Sequence, residues 1–258
     1  MVEIYQVISI AESAGKVLQD KFYSTHDIQF KDKNKSEIIT ELDKKIEELI
    51  QSELNIISPE YGFLGEEGGL QREGEYKWIV DPIDGTTNFS INNPFFNISI
   101  ALVRNDQPIL GIVHVPITGA TYFAEKGKGA WFQYSNKTTQ TNVKFTPLNK
   151  SVWGFCHVNN LERTIKLFGK IKPKVHDARK FGAGALEMAL VGGGSLNGFI
   201  DIGVRPWDVA AGILLVEEAG GLVTDFKGNK FSLFEQSSDL LATSKELHPQ
   251  LLEILKDI

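Results

Sequence analysis

The stretch Trp78-Ile79-Val80-Asp81-Pro82-Ile83-Asp84-Gly85-Thr86-Thr87-Asn88-Phe89 runs from a short apolar segment through two aspartates into a glycine turn. Lys77 to Val80 reads as a buried strand that Asp81-Pro82 breaks, because proline cannot donate to a sheet ladder. Both aspartates then face one crevice at the strand end. Gly85 allows close approach of the backbone to a ligand, and Thr86, Thr87 and Asn88 form a first helical turn whose amides favour a phosphate. Acid beside an anion site is a conflict of sign: two carboxylates ~4 Å apart repel by about 4 kcal/mol at an effective dielectric near 20. A divalent cation removes the conflict. Oxygen donors, with a single cysteine in the chain and no histidine pair at helical spacing, favour hard Mg²⁺ over zinc, and Mn²⁺ suits the same donors. Aspartates beside proline and glycine are also ordinary turn formers; the strand-to-helix setting gives these two a chemical reading.

Outward from this stretch the pattern divides the chain. Ile4, Val7, Ile8, Ala11, Ala14, Val17 and Leu18 recur at helical spacing, and Leu42, Ile46, Leu49 and Ile50 give a second helix that a capping box at Thr40 to Asp43 starts. A lysine-rich loop, Lys31 to Lys35, lies between them. After the central strand come Asn97 to Arg104, Ile109 to Val115, Thr121 to Glu125 and Ala130 to Tyr134, spaced as an antiparallel meander. Beyond about residue 149 strand and helix alternate: Val152 to His157, helices at Leu161 to Phe168 and Gly184 to Val191, and a strand at Leu196 to Asp201. A helix opened by Pro206 and closed by Gly220-Gly221 follows, then Leu222 to Thr224, Leu240 to Thr243 and an end helix from Glu246. The expected fold class is α+β, a layered α-β-α-β-α sandwich with a meander sheet and a second, mixed sheet. Residues 1–258 form one domain of two subdomains, 1–149 carrying the metal and phosphate site and 150–258 recognising substrate.

Composition excludes several classes. With 258 residues, 42% hydrophobic and 23% charged, the chain is neither disordered, collagenous nor coiled-coil. A net charge of −6 argues against a nucleic-acid surface. No basic leader precedes an apolar run and no apolar stretch approaches the ~20 residues of a span, so neither membrane insertion nor secretion is expected and the cytoplasm is the default. The lone Cys156 cannot form an intramolecular disulfide, and His114, His157 and His176 are read as structural.

Two further segments complete the acidic set: Gly62-Phe63-Leu64-Gly65-Glu66-Glu67-Gly68-Gly69, where Glu66 follows a small apolar turn, and Trp207-Asp208-Val209-Ala210-Ala211-Gly212. Taken singly, Glu66 is a loop carboxylate, Asp208 complements a helix dipole and Asp43 caps a helix. Together the Gly-Glu-Glu, Asp-Pro-Ile-Asp-Gly-Thr-x-Asn-Phe and Trp-Asp-x-Ala-Ala-Gly motifs, in this order, resemble the inositol monophosphatase family of metal-dependent, lithium-sensitive phosphatases over nearly the whole chain. The resemblance implies that Glu66, Asp81 and the Ile83 carbonyl hold one Mg²⁺, that Asp81, Asp84 and Asp208 hold a second, and that a third, weaker ion binds beside Glu66. It implies that Asp43 and Thr86 orient or activate the attacking water, that Gly85 and Thr86 amides hold the phosphate, and that the protein is a homodimer.

Substrate recognition rests on the same resemblance. Asp201, seven positions before Asp208, takes the place of the acidic residue that binds substrate hydroxyls, and Gly182-Ala183 matches the family's small-residue turn. Arg179, Lys180 and Arg205 are candidates for a second phosphate, and Phe181 to Met188 looks like archaeal-type members that also hydrolyse fructose 1,6-bisphosphate. Inositol 1-phosphate leads as substrate; the lysine that the family places near the metals is Lys31, Lys33 or Lys35. Haloacid-dehalogenase-like phosphatases are the rival enzyme class, but their Asp-x-Asp-Gly-Thr is one residue shorter than Asp81-x-x-Asp84. A regulatory protein that keeps the fold and binds a partner, as some bacterial relatives do with transcription machinery, is the alternative of another kind.

Overall fold

The computed structural model describes residues 2–24, 29–30, 38–39, 41–155, 160–234 and 239–258, with 29–30 and 38–39 as backbone only; Lys31, Lys33, Lys35, Thr40, Cys156 and His157 lie outside the described residues. Helix α1 (Ile4–Lys21) is followed by the small antiparallel pair β1 (Gln29–Phe30) and β2 (Ile38–Ile39), and by α2 (Glu41–Ile57). Next come β3 (Gly62–Gly65), β4 (Gly69–Arg72), β5 (Tyr76–Asp84) and the short α3 (Thr86–Ser90). The meander follows as β6 (Asn97–Arg104), β7 (Gln107–Val115), β8 (Ala120–Glu125), β9 (Ala130–Tyr134) and β10 (Lys137–Thr141). The remainder holds β11 (Val152–Phe155), α4 (Leu161–Ile171), β12 (Asp177–Arg179), α5 (Gly184–Gly192), β13 (Gly198–Asp201), α6 (Pro206–Glu218), β14 (Leu222–Thr224), β15 (Leu240–Thr243) and α7 (His248–Leu255).

Two large sheets result, ordered β10-β9-β8-β7-β6-β5-β3-β4 and β12-β11-β13-β15-β14. The second is mixed, as anticipated: β11 runs parallel to β12 and β13, while β15 is antiparallel to β13 and β14. Alternation along the strands assigns the faces. Trp78 and Val80 of β5, with Ile98, Ile100 and Leu102 of β6, pack against α1 and α2. Ile79, Ala101 and Val103 point the other way, into a core shared with α5 and α6. Beyond the second sheet, Leu167 and Ile171 of α4 and Leu251 and Leu255 of α7 close a third core. The order of layers is thus helix, sheet, helix, sheet, helix.

The central layer needs small residues. Asp208 through Val216 of α6 are all buried, so the helix is apolar on every side. A Cβ on Gly111 of β7 would lie 2.8 Å from the Ala211 carbonyl oxygen and 3.0 Å from its Cα, so α6 rides directly on strand backbone there.

Several expectations need correction. The central strand does not stop at Asp81-Pro82 but continues to Asp84, with a register irregularity between Asp81 and Asp84. Gly62 to Gly65, read as a small turn, is a strand parallel to β5: Phe63 is buried and its flanking glycines admit close neighbours. Strands β10 and β12 were not anticipated, being a polar, largely exposed segment and a three-residue edge. Val17 is exposed, although α1's other stripe residues are buried. The end helix starts at His248, not Glu246.

Because backbone cannot retreat as a side-chain tip can, Gly111→Ala is expected to destabilise the protein by about 1–3 kcal/mol. Guanidinium unfolding measures this, and a midpoint within error of the parent would contradict the packing described.

Candidate active site

Asp81 pairs with Ser99 and Asp84 with Asn97, so three steps along β5 match two along β6. Strand side chains alternate faces, and residues three apart ordinarily point to opposite sides. The extra residue of the bulge returns Asp84 to the face of Asp81. Pro82 sits within the bulge, where its missing N–H costs the ladder nothing, and the Ile83 amide donates to Asp81 Oδ1 at 3.0 Å. Ile83 turns its side chain to the opposite face, into the α1/α2 core. Both aspartates therefore face the central helices.

Asp84 reaches α5. Its Oδ1 accepts the Gly184 N–H at 3.0 Å; its Oδ2 accepts the N–H groups of Ala185 at 2.9 Å and Leu186 at 3.3 Å and the Asn97 side-chain amide at 2.6 Å. Ala183, which precedes α5, offers no side-chain cap. A carboxylate 100 residues away in sequence supplies one, negative charge meeting the positive helix end.

Glu66 is delivered by β3. Gly65 lies opposite Val80 in the parallel ladder, and the Glu66 amide donates to the Val80 carbonyl at 3.1 Å, so Glu66 emerges beside Asp81. Asp208 arrives with α6. Ser99, the partner of Asp81, donates from Oγ to the Trp207 carbonyl at 3.4 Å, which sets the start of α6 over the same place. Asp208 Oδ2 accepts the Arg205 N–H at 2.8 Å, so its helix-capping role is present too.

The electrostatic consequence falls on Asp81, which is 2% exposed. Burial holds its carboxyl well above the usual aspartate range; the charges of Glu66, Asp84 and Asp208 and a hydrogen bond with Glu66 push the same way. Among the described residues no group of three or more His, Cys, Asp or Glu side chains is arranged to hold a metal ion as it stands. Asp81, Asp84 and Asp208 are instead turned to backbone amides. The donor chemistry nevertheless suits a hard divalent cation: every candidate ligand is oxygen, and the excess charge is negative.

A second feature lies alongside. Asp43, fully buried in the first turn of α2, accepts from Thr86 Oγ1 at 3.0 Å, and the Ile83 carbonyl lies at the same distance from that hydroxyl. One hydroxyl proton serves one acceptor at a time, and Thr86 Oγ1 retains acceptor capacity. Gly85 adopts φ 90°, a left-handed conformation natural to glycine, and opens α3. A Cβ there would lie 3.2 Å from both the Ala183 Cβ and the Gly182 carbonyl, which places the Gly182-Ala183 turn against the strand end.

Of the other expected residues, Asp201 is buried at the end of β13, where its Oδ1 accepts the Ile202 N–H at 2.8 Å and its charge acts on Glu187. Arg179 is exposed on β12 and paired with Asp177 at 2.5 Å, an edge ion pair rather than a contact with the carboxylate cluster. His114 is held by Thr121 at 2.9 Å, and burial pushes its pKa down to about 4, so it stays neutral in the interior.

Three side-chain roles were not anticipated. Glu47 Oε2 and Oε1 accept the N–H groups of Glu67 and Gly68 at 2.9 and 2.7 Å. Asn88 Nδ2 donates to the Phe95 and Phe181 carbonyls at 2.6 and 2.7 Å, while Glu187 Oε1 accepts the Phe181 and Gly182 amides at 3.1 and 3.2 Å. The turn carrying Gly182 is thereby gripped through both carbonyls and amides. Burial holds the Glu187 carboxyl well above its ordinary range despite those amide bonds. A signal existed for Glu47: it follows Asp43 by one helical turn and adjoins the buried positions Ile46 and Ile50.

Comparison with known proteins gives the family. The family model described as the inositol monophosphatase family matches residues 2–258. An inositol-1-monophosphatase of Caulobacter vibrioides is 34% identical across 97% of this chain and 99% of its own. A fructose-1,6-bisphosphatase/inositol-1-monophosphatase of Thermotoga maritima is 32% identical across 86% of this chain and 84% of its own. Among solved structures, a Thermotoga maritima IMPase superposes with TM-score 0.88 at 31% identity, covering 97% of this chain and 95% of that one. A match along essentially every residue, with the acidic segments gathered at one bulged strand end, makes this chain a member of the inositol monophosphatase family.

Proposed function

We propose that the protein is a Mg²⁺-dependent phosphomonoesterase that hydrolyses inositol 1-phosphate or a similar small polyol or sugar phosphate. The observation that carries this reading is Asp81: a buried carboxylate pressed by three other carboxylates is a poor structural element and a good cation ligand. Glu66, Asp81 and the Ile83 carbonyl would hold one ion, and Asp81, Asp84 and Asp208 a second, with Mn²⁺ able to substitute. When bound, such ions lower the pKa of water and steady a leaving alkoxide.

The chain's own groups do the rest. Asp43 accepts the Thr86 hydroxyl proton in a hydrogen bond, which leaves Thr86 Oγ1 to accept from the attacking water and aim it. The amides of Gly85 and Thr86 would hold phosphate oxygens at the start of α3, and the negative charges around Asp81 would keep the site closed to the anion until cations are present. The Gly182-Ala183 turn and Asp201 would meet the hydroxyls of the alcohol. A second reading, activity on fructose 1,6-bisphosphate as well, is favoured by the dual name of the Thermotoga relative. Arg179, exposed and paired with Asp177 through one guanidinium nitrogen, would turn its other donors to a second phosphate.

Phosphate release in excess Mg²⁺ from inositol 1-phosphate, fructose 1,6-bisphosphate, histidinol phosphate and adenosine 3′,5′-bisphosphate tests the reading; inositol 1-phosphate is expected to lead, and no release from any small phosphomonoester overturns it. Asp43→Asn and Thr86→Val are each expected to lower kcat by about 10²–10⁴, and the double variant to be little worse than the poorer single one. Additive losses would contradict a shared role. In the metal-free protein Asp81→Asn is expected to raise thermal stability, since it removes a buried charge from among its like; each 1 kcal/mol gained appears as about 2–4 °C. The same variant should lose the stabilisation that Mg²⁺ gives the parent.

A further inference from the structure

Glu47 is 4% exposed, lies on α2 one turn after Asp43, and takes no part in the chemistry set out above. Its two carboxylate oxygens accept successive backbone amides, Glu67 N–H at 2.9 Å and Gly68 N–H at 2.7 Å. The loop is shaped to receive it. A methyl group built on Gly65 would overlap the Glu47 carboxylate, and one on Gly68 would stand 2.9 Å from Oε1. Gly65 is a strand residue opposite Val80, outside the left-handed region, so glycine is needed there for the carboxylate rather than for a turn. Glu66 sits between the residue that Glu47 touches and the residue whose amide it binds.

From this geometry we propose that Glu47 is a positioning residue that sets the divalent-cation affinity of the site by pinning the Gly65–Gly68 loop and thereby fixing Glu66. The proposal rests on the metal-dependent reading of the site. A buried side chain with two acceptor oxygens is what two adjacent N–H groups require, and glutamine offers one acceptor and one donor in the same volume. The donor would face a backbone N–H. Because α2 also carries Asp43, one helical turn of about 5.4 Å fixes the spacing between the group that holds Thr86 and the group that holds the Glu67 and Gly68 amides. Partners that orient a ligand without touching the ion typically change metal affinity by about 10–100-fold, and Glu47 acts in that manner through backbone.

The test is calorimetric titration of the full-length protein and its Glu47→Gln variant with Mg²⁺ and with Mn²⁺, paired with hydrogen exchange at the Glu67 and Gly68 amides. Glu47→Gln is expected to bind cation about 10–100-fold more weakly and to lose protection at those two amides, while kcat at saturating metal stays within about threefold of the parent. A purely structural role would instead lower stability and leave cation affinity alone. Gly65→Ala, which forces the carboxylate away without altering its charge, should weaken cation binding in the same way and serves if Glu47→Gln does not fold. Cation affinity within twofold of the parent, in either folded variant, overturns the proposal by itself. A parent protein that binds neither cation overturns the proposal together with the metal-dependent reading beneath it.

Discussion

One extra residue between Asp81 and Asp84 sets the geometry on which the rest depends. Without it, the pleat would send one aspartate into the α1/α2 core and the other toward the central helices. With it, both enter the central layer, Asp81 beneath the start of α6 and Asp84 against the start of α5. Proline suits the position because the bulge has already removed the ladder bond it cannot make. The cost is an unfavourable gathering of negative charge in a buried place.

That cost is met in two ways. Backbone amides take up part of the charge: Ile83 on Asp81, three amides of α5 on Asp84, Arg205 on Asp208 and two loop amides on Glu47. These bonds also join the layers, since Asp84 links the first sheet to α5 and Ser99 links it to α6. The remainder stays on Asp81 and is what a cation would relieve. A site of this kind trades stability for chemistry, and its supporting residues are those that hold backbone in place, among them Asn88, Glu187 and Glu47.

Much of this was legible from residues alone. The layered order followed from helical stripes, the meander spacing and the later alternation of strand and helix, and the acidic segments carried the family resemblance. What escaped was set by contacts across the chain. The strand Gly62–Gly65 is too short and glycine-rich to show a pattern, and is a strand because β5 pairs with it. Pro82 looked like a strand end because a bulge leaves no mark in local propensity. Asn88 and Glu187 act on a turn at Phe181-Gly182, and for Asn88 that turn lies 93 residues away.

The most direct measurement is anomalous diffraction at the manganese edge from crystals grown with Mn²⁺. The account predicts manganese between Asp81 and its neighbours Glu66, Ile83, Asp84 and Asp208, with the carboxylates of Asp81, Glu66 and Asp208 turned onto the ion. Well-diffracting crystals with no manganese signal at Asp81, or with manganese bound only elsewhere on the molecule, would contradict it.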